Sequence, residues 1–288
     1  MKYRIQSDSF ELRDIFECGQ CFRWNEQNDG SYTGIFTDCV VNVEKSGENI
    51  TFNGKCLQEI SQLEFEERIR AYFDLDRDYN RIKSNLAKVD ANMRTSIKYG
   101  EGIRILNQDL WETIISFIIS ANNNIPRIKK IIENISVKYG NLIEWEGVKY
   151  YTFPKACELA KASIQDLRSL GLGFRDERVY ETTQRINNKE FDLDSLYNME
   201  TKEAKEALLT LAGVGPKVAD CILLFSNLKR FDVFPIDVWV RRVMNELYIH
   251  NEEESKVDKK VIQKIANEKF GNLQGIAQQY LFYWKRGA

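Results

Sequence analysis

The tetrapeptide Gly213-Val214-Gly215-Pro216 joins two apolar helical stripes, and it constrains the fold more tightly than any other stretch. Leu208, Leu209 and Leu211 lead into it, Lys217 follows at once, and a second apolar run extends from Val218 to Phe225. The pattern predicts a helix, a tight glycine hairpin and another helix. Gly213 and Gly215 permit positive φ and carry no side chain to hold an approaching phosphate off the backbone. The second helix then offers unpaired N–H groups and its positive dipole end to an anion. One lysine sits in its first turn, and a carboxylate, Asp237, follows twenty residues later. A phosphate-gripping hairpin with an amine and a carboxylate nearby points to chemistry on a nucleic acid.

A chain of 288 residues can bury a large core and is expected to form two domains or one elaborate one. Its apolar share of 43% and charged share of 29% are those of an ordinary globule. No apolar run reaches the ~20 residues that span a bilayer, and the N-terminus lacks the apolar stretch of a signal peptide. The expectation is an intracellular protein without a membrane partner, in cytoplasm or nucleoid if prokaryotic. Net charge is −2, so any basic surface must be local and balanced by acid elsewhere, such as Glu252, Glu253 and Glu254.

Six dispersed cysteines (18, 21, 39, 56, 157 and 221) are expected to be reduced thiols. Cys18-Gly-Gln-Cys21 is a CxxC, but neither a second CxxC nor a histidine pair exists to complete a zinc site. No four-cysteine cluster suits an iron–sulfur centre, and no metal site is expected. The single histidine, His250, lies in a polar stretch and reads as a solvated imidazole, which excludes histidine-dependent triads. Acid–base and nucleophilic work is left to Lys, Asp, Glu, Cys or Tyr.

Along the chain, the first ~85 residues alternate apolar and polar positions between turn signals at Asn28-Asp29-Gly30 and Ser46-Gly47-Glu48, the pattern of an antiparallel sheet. A helix is expected over 63–73. From about Asp90 onward the pattern is almost wholly helical, with helices expected over 109–121, 126–140, 156–162, 163–170, 177–186, 202–211, 217–226, 237–247, 259–270 and 273–284. The fold class is therefore α+β: an antiparallel β-sheet domain over residues 1–90, then a helical domain over 91–288 that carries the helix-hairpin-helix.

Taken locally, the candidate residues keep two readings each. Lys217 is either an amine nucleophile with a depressed pKa or a phosphate contact. Asp237 is a favoured N-cap type or the carboxylate partner of Lys217. Cys221, one turn after Lys217, is a thiol responding to the ammonium or a small core residue. Asn122-Asn123-Asn124-Ile125-Pro126-Arg127 is a turn between two apolar helices or a probe that enters a groove.

GVGPKVADC followed by PIDVW resembles the helix-hairpin-helix and downstream aspartate of the base-excision DNA glycosylases. GQCFRW (19–24), SANNNIPRI (120–128), LGLGFRDERV (170–179) and GIAQQYLF (275–282) narrow the likeness to the 8-oxoguanine DNA glycosylases and spread it over nearly the whole chain. The resemblance implies that Lys217 attacks C1′ of the damaged nucleotide, forms a Schiff base and permits β-elimination, with Asp237 stabilising the cationic sugar. It implies that Cys221 and Phe282 sandwich a flipped base, Gln278 bonds its Watson–Crick edge, and the Gly19 carbonyl accepts from the N7–H of the oxidised purine. Asn122 would fill the vacated duplex and Arg127 would contact the orphaned cytosine. Phe174, Arg175, Gly213, Gly215 and Trp239 complete the implied DNA contacts. Phe174 stands where a tyrosine is common in that family, and Trp239 where a histidine is familiar. The implied partner is duplex DNA with 8-oxoguanine opposite cytosine, bound by a monomer that needs no redox cofactor, with a monovalent cation on the hairpin carbonyls. The rivals are a same-fold glycosylase for alkylated or other oxidised bases, and a helix-hairpin-helix protein that only binds DNA.

Overall fold

The computed structural model describes residues 1–287. β1 (Lys2–Gln6), α1 (Leu12–Phe16), β2 (Trp24–Glu26), β3 (Tyr32–Phe36), β4 (Cys39–Ser46) and β5 (Asn49–Cys56) come first. The five strands form one antiparallel sheet in the order β1-β5-β4-β3-β2. Alternation along β4 and β5 buries Val41, Val43, Ile50 and Phe52 on the face that α2 (Gln62–Tyr72) covers with Phe65 and Ile69. Each such residue removed from water contributes about 1.5–3 kcal/mol.

Helices dominate from α3 (Tyr79–Ala87) and α4 (Ala91–Tyr99) onward. α5 (Leu110–Ser120) is buried over nearly its whole length, as its unbroken apolar run requires. α6 (Ile125–Tyr139) carries Pro126 in its first turn and stops at Gly140. After α7 (Ala156–Leu159), α8 (Ile164–Ser169) and α9 (Asp176–Asn187), the helix-hairpin-helix is α10 (Thr201–Leu208) and α11 (Pro216–Phe225). α12 (Val238–Met244), α13 (Lys259–Phe270) and α14 (Gln274–Gly287) complete the domain. Asp109, Asn124 and Asp237 each cap a helix, accepting from Glu112 N at 2.8 Å, Arg127 N at 3.0 Å and Val240 N at 2.8 Å. Such caps are worth about 1 kcal/mol each.

Cys18 and Phe22 belong to the helical core although they precede the sheet's second strand. Gln20 fastens the crossing: its side-chain nitrogen donates to the carbonyls of Ile15 (2.8 Å) and Arg104 (2.7 Å), and its oxygen accepts from Leu106 N (2.9 Å). The N-terminal segment thereby delivers Gly19 to the helical domain.

Three expectations need correction. The helical stretch is interrupted by a hairpin, β6 (Leu142–Trp145) with β7 (Val148–Tyr151), whose turn residues Glu146 and Gly147 both have positive φ. Glu-Gly between alternating residues was the available signal, hidden by the surrounding helices. α12 passes into one π turn over Asn245–Ile249 instead of running on as α-helix. And not all cysteines are reduced, because Cys39 and Cys56 form a disulfide. They face each other across β4 and β5 with Cα atoms 3.9 Å apart, a register invisible in their 17-residue spacing. Cys18, Cys21, Cys157 and Cys221 are free.

Candidate active site

One cavity gathers every residue that the family resemblance assigned to chemistry or base recognition. α11 contributes Lys217 and Cys221, one turn apart, and α14 contributes Gln278 and Phe282 at the same spacing. Asp237 enters from the start of α12 and Gly19 from the N-terminal loop. Asp237 is both cap and wall, so its two sequence readings are compatible. Phe117 of α5 and Phe225 of α11 stack at 5.6 Å as the floor, and the Lys217 ammonium lies 5.5 Å from the Phe117 ring centre. Phe117, Phe225 and Gln279, apolar or neutral residues on core helices, and Pro235, in the segment before α12, escaped the sequence reading because they look like ordinary packing.

The cavity holds about 50 Å³, room for a water or two and not for a purine. Phe282 is half-buried at its edge. Gln278 is 5% exposed, and its side-chain oxygen is buried with no hydrogen-bond partner among the described residues. Buried acceptors are rarely left empty, which makes this oxygen a candidate ligand contact. A larger cleft of about 790 Å³ lies between sheet and helical domain, and it contains none of these residues.

Electrostatics depart from the depressed amine considered from sequence. The Lys217 ammonium is held above its ordinary range, first by the Cys221 sulfur and further by Asp237, with burial opposing both. Burial pushes Cys221 up to about 11, while Lys217 pulls the other way. At neutral pH the pair is an ammonium beside a thiol. Nucleophilic attack by such an amine would require it to lose a proton first, and Asp237 is a carboxylate on the same cavity wall. Cys18 and Cys21 are fully buried thiols, and burial pushes Cys18 up to about 12. Neither has the thiolate character of a redox pair.

The residues that the resemblance assigns to DNA contact do not line this cavity. Asn122 is exposed with φ +51, a left-handed conformation asparagine tolerates, and lies within the loop between α5 and α6. Arg127 is exposed and donates to the Gly171 carbonyl at 3.3 Å. Phe174 is 55% exposed with the Arg175 and Arg178 guanidiniums 4.2 Å and 5.3 Å from its ring centre. Arg175 itself is only 2% exposed, and donates to the carbonyls of Ala121 (2.8 Å), Asn122 (2.6 Å) and Leu172 (3.2 Å). It braces the Asn122 loop from beneath and reaches DNA only if that loop moves. Burial lowers its pKa, and the nearby Arg127 and Arg178 add to the effect. The three guanidiniums concentrate positive charge locally on a chain whose net charge is −2. Trp239 is 47% exposed, 5.7 Å from the Arg242 guanidinium.

In the hairpin, Gly213 has φ +82, whereas Gly215 adopts an extended conformation that any residue accepts. The expected backbone freedom is thus needed at Gly213 alone. A side-chain carbon on Gly215 would meet nothing within 4 Å, so what this glycine leaves is open space above the first turn of α11.

Comparison with known proteins identifies the family. Residues 2–114 match the model of the 8-oxoguanine DNA glycosylase N-terminal domain, and residues 115–278 that of the HhH-GPD superfamily of base excision DNA repair proteins. A probable N-glycosylase/DNA lyase of Methanothermobacter thermautotrophicus is 34% identical over 244 residues, 78% of this chain and 76% of the relative. The apo form of the Clostridium acetobutylicum 8-oxoguanine glycosylase/lyase is 44% identical with a TM-score of 0.90, covering 98% of this chain and 96% of that one. The same enzyme bound to duplex DNA with cytosine opposite 8-oxoguanine also gives 0.90 at 43% identity, covering 99% and 98%. With both halves matched and the helix-hairpin-helix beside its lysine and aspartate in place, this chain belongs to the 8-oxoguanine DNA glycosylase family of the HhH-GPD superfamily.

Proposed function

We propose that this protein excises 8-oxoguanine from duplex DNA and then cleaves the strand by β-elimination, with Lys217 as the nucleophile. The single observation that carries the reading is the convergence of Lys217, Asp237, Cys221, Gln278, Phe282 and Gly19 on one cavity. The attacked bond is inaccessible in a stacked duplex, so the nucleotide must flip out, at about a few kcal/mol. Phe282 stacks on the flipped base opposite Cys221, and the free Gln278 oxygen accepts from its Watson–Crick edge. The Gly19 carbonyl accepts from N7–H, a donor that guanine lacks. Rejection then follows from facing an acceptor with a lone pair.

Lys217 first passes its excess proton to Asp237. Its nitrogen then bonds to C1′ as the N9–C1′ bond breaks, and the base leaves with the electron pair and takes up a proton. Opening of the sugar ring gives an iminium, which acidifies the adjacent C2′ hydrogen. Loss of that proton expels the 3′ phosphate oxygen and breaks the strand.

Borohydride reduction tests this. A duplex with 8-oxoguanine opposite cytosine is expected to give a covalent adduct with the wild type and none with Lys217→Gln. Absence of both base release and adduct overturns the proposal. Turnover on an alkylated duplex instead would support the same-fold rival.

Three finer points belong to this reading. Arg127 is the contact to the orphaned base, so excision is expected to prefer cytosine among the four opposite bases, and Arg127→Ala to lose the preference. The protein acts as a monomer where the chromosome is. A monovalent cation fits the hairpin: Arg185 donates to the Thr210 carbonyl and Thr182 to the Ala212 carbonyl, while those of Leu209, Gly213 and Val214 accept no hydrogen bond among the described residues. Hard carbonyl oxygens of this kind suit such an ion. No redox cofactor enters any step above.

A further inference from the structure

The backbone around Gly19 is taken up carbonyl by carbonyl. Ile15 accepts from the Gln20 side chain at 2.8 Å, and the Gln20 carbonyl from Gln108 at 2.8 Å. The two carbonyls just before Gly19 are held by α14, that of Glu17 by Arg286 Nη2 at 2.9 Å and that of Cys18 by Gln279 Nε2 at 2.5 Å. The Gly19 carbonyl accepts nothing among the described residues. Gly19 has φ +89, and a side-chain carbon there would stand 3.4 Å from Arg286 Nη1 and 3.6 Å from Phe282.

A glycine visits both signs of φ with little penalty, so an unrestrained loop here could rotate its peptide planes. Rotation would turn an N–H toward the cavity, and an N–H suits the N7 lone pair of ordinary guanine. Discrimination therefore needs the planes pinned, and Gln279 pins the one immediately before Gly19. Gln279 is buried, Arg286 is exposed, and their separation of seven residues puts both on one side of α14.

We propose that Gln279 and Arg286 are positioning residues for lesion recognition. By occupying the carbonyls of Cys18 and Glu17, they leave that of Gly19 as the one acceptor presented to N7–H. This rests on the 8-oxoguanine reading above.

The test compares two substrates of the full-length protein. One is a duplex with 8-oxoguanine opposite cytosine, read by single-turnover base release. The other carries a preformed abasic site, read by strand cleavage and borohydride trapping, where no base has to be recognised. Gln279→Met keeps length and removes the donors, Arg286→Ala alters only an exposed side chain, and Arg286→Lys retains a donor. Gln279→Met and Arg286→Ala are each expected to slow 8-oxoguanine release about tenfold, the scale of one well-placed hydrogen bond. Abasic-site processing by Arg286→Ala should stay within about twofold of wild type, and Arg286→Lys should recover most of the loss. Equal loss on both substrates means a merely structural role and overturns the inference, as does unchanged base release. If Gln279→Met fails to fold, Arg286→Ala alone decides. Wild-type protein that traps on the abasic duplex but releases no 8-oxoguanine overturns the substrate reading, and the inference with it.

Discussion

Phe282 and Arg175 show how two side chains on one face do opposite work. Phe282 edges a cavity too small for a purine, so under the proposed function it moves aside and stacks on what enters. Stacking of a base on an aromatic ring is worth about 1–3 kcal/mol, so Phe282→Ala should slow 8-oxoguanine release ~10–100-fold. Trapping on a preformed abasic site should survive, and a parallel loss there would contradict the stacking role. Arg175 acts from below, through the carbonyls of Ala121, Asn122 and Leu172. Arg175→Ala removes a buried cation and strands those acceptors, an expected destabilisation of ~2 kcal/mol. Denaturant unfolding would reveal that loss, and DNA affinity should fall with it as the Asn122 loop loosens. A fall in affinity at unchanged stability would instead point to a direct DNA contact.

At the level of elements, the two hairpin glycines separate a folding requirement from a binding one. A side-chain carbon on Gly213 would lie 2.9 Å from Ile118 and 3.1 Å from Arg178, with φ already at +82. Gly213→Ala is expected to destabilise the protein by ~1–3 kcal/mol, measurable as a lower urea midpoint. Gly215→Ala meets no neighbour within 4 Å and should leave that midpoint in place. It should weaken DNA binding, because a methyl group would stand where the backbone has to approach phosphate. If both variants bind DNA as wild type, the hairpin is not the phosphate grip. These glycines were legible as a pair in sequence, but the division of labour was not. It depends on Ile118 of α5, a neighbour ninety-five residues from Gly213.

Across the whole molecule, the cleft between sheet and helices encloses Glu112 near Asp109 and Thr37. Burial raises the Glu112 carboxyl from 4.5 to about 7, Arg23 opposes that rise, and Asp109 adds to it. The folded protein then keeps a proton that the unfolded chain releases between pH 4.5 and 7. Its stabilising contribution is full below pH 4.5 and lost as pH rises to about 7. Glu112→Gln cannot ionise, so it should be more stable than wild type by up to ~3 kcal/mol at pH 8 and by less than ~1 kcal/mol at pH 5. Thermal melts at both pH values check the sign, and a gain confined to pH 5 would refute it.

Elements and chemistry were legible in sequence where the information is local. Alternation marked β3 to β5, apolar periodicity marked the helices, and the spacing of Lys217 to Cys221 and Gln278 to Phe282 placed each pair on one helical face. The β6–β7 hairpin and the Cys39–Cys56 bond were missed because short strands and cross-strand register depend on what packs beside them. The hairpin that opened the sequence reading named a lysine and an anion grip. Only the tertiary structure decided that this lysine is an ammonium at rest, because its charge depends on Cys221, Asp237 and burial. Only the tertiary structure, again, left one carbonyl free at Gly19, since its two predecessors are claimed by side chains more than 260 residues away. Residue types and spacings determine which groups can react. Protonation state and free acceptors are set by contacts distant in sequence, and no local pattern encodes them.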